Sequence, residues 1–176
     1  MKKIIILLSL VLIMSILYKK VNASEVVIPD SAIRVRVIAN SNSLYDQNIK
    51  LKVTDYIENY LQVLLIDCDS IEDARDVIKN SIDDVNNGIK ELFYENNYDY
   101  NYSINFGDNY FPNKEYKGVK YNAGYYESLV VTIGSGNGDN WWCCLFPPLC
   151  LLEADESESD DVEYKFWVKD LIDRYL

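Results

Sequence analysis

Ile33, Val35 and Val37 alternate with Arg34 and Arg36 in the stretch IRVRVIAN (33–40), the two-residue period of a strand with one buried face. The pattern then changes period. Ser43 is followed three residues later by Asp46, and Ser70 by Asp73, two capping-box signatures that predict helix starts. The first predicted helix, about Leu44 to Leu65, carries Ile49, Val53, Ile57 and Leu61 on one stripe, with Tyr56, Tyr60 and Leu64 beside it. The second carries Ile71, Ala74, Ile78, Ile82, Val85, Ile89 and Leu92 in steps of three or four, and so predicts one continuous core-facing helix. Period two returns at 99–106 (DYNYSINF), where Tyr100, Tyr102, Ile104 and Phe106 alternate with polar residues, a half-exposed strand of an antiparallel sheet.

Pro112, Gly118 and Gly124 punctuate the next segment, which fits turns and a short hairpin arm. A strand at 125–133 follows, with Leu129, Val131 and Ile133 on one face. The acidic run EADESESDD (153–161) has nothing to bury and reads as a solvated linker. Val162, Tyr164 and Phe166 then suggest a last strand before a short helix through Leu171 and Ile172. The order β-α-α-β-β-β predicts an α+β fold: a mostly antiparallel sheet of four or five strands, with two long amphipathic helices packed on one face.

The N-terminus sets the organisation around that domain. Lys2 and Lys3 precede an apolar run from Ile4 to Leu17, and Val21-Asn22-Ala23 ends the segment with residues a signal peptidase reads. The run is shorter than the roughly 18 to 20 residues that cross a bilayer. It predicts a secretory signal at 1–23, a single domain at 24–152, and an acidic linker with a C-terminal strand and short helix at 153–176. An uncleaved signal would instead leave the chain membrane-anchored. The net charge is −11, and the leader contributes Lys2, Lys3, Lys19 and Lys20 without an acid, so the exported part is more acidic still. That balance argues against nucleic acid and against anionic membrane surfaces as partners.

Residue chemistry narrows the function further. The chain has no histidine, which removes Ser-His-Asp and Cys-His catalysis and every histidine-containing zinc site. No metal or cofactor, and no small-molecule substrate, is expected. Cys68, Cys143, Cys144 and Cys150 follow an export signal and can form disulfides. Several pairings are open: a Cys143–Cys150 bridge would close a short loop worth about 2 to 2.5 kcal/mol, while Cys143–Cys144 would be strained. No spacing singles out a pair of carboxylates; Glu127 and Asp139 are the acids nearest the unusual segment GSGNGDNWWCCLFPPLC (134–150). Gly134, Gly136 and Gly138 read as a turn with positive φ rather than a phosphate cradle, since no basic residue or helix follows. For Trp141, Trp142, Leu145, Phe146 and Leu149 two readings stand, closure of the core at the sheet edge or an apolar patch that meets a partner.

Four segments together resemble the stage II sporulation protein R family: IRVRVIANSNSLYDQNIKLKV (33–53), the FPNKEY segment beginning at Phe111, AGYYESLVVTIG (123–134) and GSGNGDNWWCCLFPPLC (134–150). The last is the most specific. The resemblance implies a signal rather than a catalyst, exported from the forespore into the space between forespore and mother cell. There it would activate a membrane-embedded aspartic protease, the sigma-E processing peptidase, which removes the pro-sequence of sigma-E. The family pattern falls on Asn140, Trp141, Trp142, Cys143, Leu145, Phe146, Pro147, Pro148, Leu149 and Cys150, favours Cys143 with Cys150 as the disulfide, and leaves Cys144 as a competitor. Rigidly held, Trp141, Trp142, Leu145, Phe146, Pro147, Pro148 and Leu149 would form a docking surface at low entropic cost. A carboxylate-dependent cell-wall hydrolase and a structural envelope protein are the competing readings.

Overall fold

A computed structural model describes residues 26–116, 119–148, 170 and 172–175. In chain order these form β1 (Val26–Val27), β2 (Ile33–Ile38), α1 (Leu44–Leu65), α2 (Ile71–Asn80), α3 (Ile82–Glu95), β3 (Tyr102–Phe111), β4 (Lys114–Tyr116), β5 (Val119–Tyr121), β6 (Gly124–Ile133) and β7 (Asn140–Phe146). Residues 170 and 172–175 are helical. The predicted signal at 1–23, the acidic run and the strand at 162–166 lie outside the described residues.

The main sheet has the order β3-β6-β2-β7, and a second, three-stranded sheet has the order β1-β5-β4. In the main sheet β3 and β6 are antiparallel, β2 and β7 are antiparallel, and β2 and β6 are parallel. The parallel pair is a departure from the predicted sheet. It follows from the long crossover that the three helices supply between β2 and the later strands.

Pleating divides the sheet into two faces. Ile33, Val35 and Val37 of β2 and Leu129, Val131 and Ile133 of β6 share one buried face. Ile49, Val53, Ile57, Leu61 and Leu65 of α1 complete a single core with Ala74, Ile78, Val85, Ile89 and Phe93 of α2 and α3. Each fully buried aliphatic side chain contributes about 1.5–3 kcal/mol relative to its exposed state, so this face carries most of the driving force.

The predicted second helix is broken at Ser81. Its backbone N–H is shared between the Val77 and Ile78 carbonyls, each at 3.1 Å, and its hydroxyl donates to Val77 O at 2.8 Å. Such back-bonding by serine bends helices. The apolar stripe continues through the break, which is why periodicity alone missed it. Strand β3 also starts later and runs further than predicted, to Phe111. The stretch from Asn140 to Phe146 is a strand rather than a looped corner: it pairs with β2 from Ile38↔Asn140 to Ile33↔Phe146, with a register irregularity between Ile33 and Arg34.

Polar residues at the start of α1 lock β7 to this frame. The Asp46 carboxylate is buried and accepts hydrogen bonds from Asn40 Nδ2 (3.0 Å), Ser41 Oγ and Tyr98 OH (2.6 Å). Ser43 caps α1 by accepting from Asp46 N at 3.1 Å. The glycine turn before β7 is fastened to the same segment, with Ser135 N donating to Asn40 Oδ1 at 2.9 Å and Gly138 N to Ala39 O at 2.9 Å. Gly134 and Gly136 take positive φ (56° and 66°) as predicted. Gly138 is needed for a different reason: a Cβ there would collide with the Ser41 carbonyl.

Burial of Asp46 opposes its ionisation, but the hydrogen bonds from Ser41, Tyr98, Asn40 and Ser43 outweigh that and hold its pKa below the ordinary value. A depressed carboxylate stabilises the fold fully above the unfolded-state value, about 4, and the contribution is lost as pH falls through the folded one. Asp46→Asn should therefore cost on the order of 1–3 kcal/mol at neutral pH, with the difference from wild type shrinking at pH 3. Urea unfolding at the two pH values measures both; an equal loss at each would remove the charge from the explanation.

Candidate functional site

The face of the main sheet away from the helices carries the unusual chemistry. Arg34 and Arg36 point there from β2, opposite Cys144 and Trp142 of β7 and beside Ser128 and Val130 of β6. Arg34 is completely buried. Its guanidinium carbon lies 3.3 Å from the ring centroid of Tyr126, 5.5 Å from Phe111 and 5.6 Å from Tyr121. Arg36 stands 4.9 Å from the Phe111 ring and donates through Nη1 to Tyr110 O at 3.3 Å.

Trp142 extends this layer. Its ring is 5.4 Å from Phe111 and 6.3 Å from Tyr121, and the Lys114 ammonium sits 4.7 Å from it. Arg34, Lys114, Tyr121, Asn140, Trp141 and Trp142 line a cavity of about 200 Å³. Among the described residues, every one that lines it comes from a strand. Burial lowers the Arg34 pKa from its ordinary value, yet guanidinium keeps its proton at any physiological pH. Cation–π contact with Tyr126 offsets part of the desolvation, by about 0.5–2 kcal/mol.

The predicted docking residues separate into two groups. Leu145, Phe146 and Pro147 are buried, Phe146 lying 5.2 Å from the Tyr175 ring in an edge-to-face contact. Trp141, Trp142 and Pro148 are half-buried. Trp141 packs against the helix-side core, while Trp142, one residue on, faces the arginine layer. Leu149 lies outside the described residues. So does Cys150, the predicted disulfide partner of Cys143; Cys143 itself is buried.

Arg34, Lys114, Tyr121 and Tyr126 were not among the predicted site residues. The alternation of IRVRV assigned both arginines to solvent, and only the aromatic density of FPNKEYKGVKYNAGYY hinted at a cover for that face. The acids nearest the segment are otherwise engaged. Glu127 Oε1 pairs with Arg75 Nε at 2.7 Å, and Asp139 exchanges hydrogen bonds with Asn42 through its N–H (2.7 Å) and Oδ1 (3.3 Å). No cluster of metal-ligating side chains occurs among the described residues.

Stacked rings, buried cations and a small cavity define the face away from the helices in this mixed α/β domain. The chain belongs to the stage II sporulation protein R family, whose model matches residues 29–156. It is 38% identical over 141 residues to the stage II sporulation protein R of Bacillus subtilis (strain 168), an overlap of 80% of this chain and 63% of that protein. The match thus spans somewhat less than two thirds of that relative. No solved structure matches the chain.

The two aromatic positions of β7 should separate in their effects. Phe146→Ala empties a closed site and should cost about 3–5 kcal/mol, whereas Trp142→Ala, at a half-buried position, should cost about 1–2 kcal/mol. Guanidinium chloride unfolding of both variants gives the comparison; equal losses would place Trp142 in the core proper.

Proposed function

We propose that this chain is an exported signal of sporulation that activates the membrane-embedded aspartic protease responsible for processing pro-sigma-E. Family membership across residues 29–156 carries this reading. The signal-like N-terminus supports export from the forespore into the space between the two membranes. Among the described residues no helix is long and apolar enough to cross a membrane.

Contact with the protease is assigned to the accessible part of the β7 segment, Trp142 with Trp141 and Pro148, together with Lys114 beside them. Half-buried aromatic side chains held by a packed frame are the anchors that interfaces use. Leu145, Phe146 and Pro147 support that surface from beneath. Cys143 is a free, buried thiol in the structure; a bridge to Cys150, formed after export, would brace the far end of this surface. A hydrolase would need two acids converging on a cleft, and the pairing of Glu127 with Arg75 weakens that alternative.

Immunoblotting of the sigma-E precursor in sporulating cells tests the proposal. Cells lacking the chain should accumulate the precursor, and processing should return with the exported form and fail with a form lacking residues 1–23. Normal processing without the chain would sink the signalling role and bring the envelope reading forward.

A further inference from the structure

We propose that the cavity between β2, β7 and the β4–β5 arm is a carboxylate-binding site, with the Arg34 guanidinium as its fixed donor. Arg34 is fully buried and lines the cavity, and its Nε, Nη1 and Nη2 atoms have no hydrogen-bond acceptor among the described residues. Buried charged donors are ordinarily paired. Removing water from a guanidinium without supplying an acceptor is unfavourable, and a stacked ring satisfies none of its N–H groups. The unmet requirement lies at the wall of a volume of about 200 Å³, with the guanidinium nitrogens themselves closed to solvent.

The surroundings select the ligand. Among the described residues, no carboxylate lines the cavity. Lys114 stands at its Trp142 wall and adds a second positive charge, while Asn140 supplies a side-chain amide. One planar fork and one ammonium match the planar, singly charged carboxylate, which guanidinium takes in bidentate fashion. A phosphate is better served by a helix N-terminus or a nest of backbone N–H groups, and among the described residues the lining includes no helical one. Aromatic walls at Tyr121 and Trp142 suit the methylenes of an acidic side chain. The carboxylate can come from a peptide or from a free small acid, and the experiment separates these sources.

The exported chain is titrated at constant ionic strength with N-acetyl-glutamate methylamide, sodium acetate, the neutral glutamine analogue and sodium phosphate, following the indole N–H resonance of Trp142. Saturable shifts with the two carboxylates and none with the glutamine analogue are expected. Tighter binding of the glutamate compound than of acetate assigns a peptide source, and equal binding assigns a free acid. Arg34→Lys should weaken binding at least tenfold, because an ammonium cannot reproduce the fork. Lys114→Met, at an exposed position, should weaken it several-fold with folding unchanged. Arg34→Met should abolish the response and melt at or above the wild-type temperature, since it removes an unpaired buried charge.

Three results would overturn the proposal. Phosphate could bind more tightly than either carboxylate. Arg34→Met could melt far below wild type, giving the guanidinium a structural task. Neither carboxylate could give a saturable shift. All readouts use purified protein, so this inference and the sporulation role stand or fall separately.

Discussion

Strand β2 is hydrogen-bonded on both edges and covered on both faces, and the two coverings demand opposite chemistry. Toward the helices it presents Ile33, Val35 and Val37 to an apolar core. On the other side it presents Arg34 and Arg36, which require an environment that tolerates cations away from water. Phe111, Tyr121, Tyr126 and Trp142 provide that environment through their ring faces. The small sheet β1-β5-β4 brings Tyr121 into this layer and Lys114 to its edge.

This arrangement explains where the sequence was legible. The helix-side faces of β2 and β6 and the stripes of α1 to α3 follow directly from period two and period three-to-four, because one medium lies on each side of those elements. Capping at Ser43 and Ser70 was visible for the same local reason: each hydroxyl accepts an N–H three residues away. The bend at Ser81 was hidden, since it depends on one hydroxyl returning to Val77 and leaves the stripe intact.

The second face of the sheet was not legible, and the reason is physical. Alternation identifies a polar face but cannot distinguish arginine in water from arginine under aromatic rings. NWWCCLF lost its strand signal because both of its faces are covered, so apolar and aromatic residues occupy consecutive positions. Its register depends on β2, more than one hundred residues away in places, as Arg34↔Cys144 illustrates. Glycine and proline at its ends drew attention to loop chemistry, although the glycine turn fastens the strand to Ala39 and Asn40 through Ser135, Asn137 and Gly138.

The structure thus separates support from presentation. Phe146, Leu145 and the Asp46 network hold β7 in register, while Trp142 and Lys114 border a cavity whose deepest group is an unpaired guanidinium. We propose that this face, rather than the helix face, meets the protease. A photo-crosslinking residue placed at Lys114, and in a parallel strain at Val63 on the exposed side of α1, tests it in sporulating cells. An adduct with the sigma-E processing protease is expected from position 114 and none from position 63; an adduct from 63 alone would contradict the proposed contact.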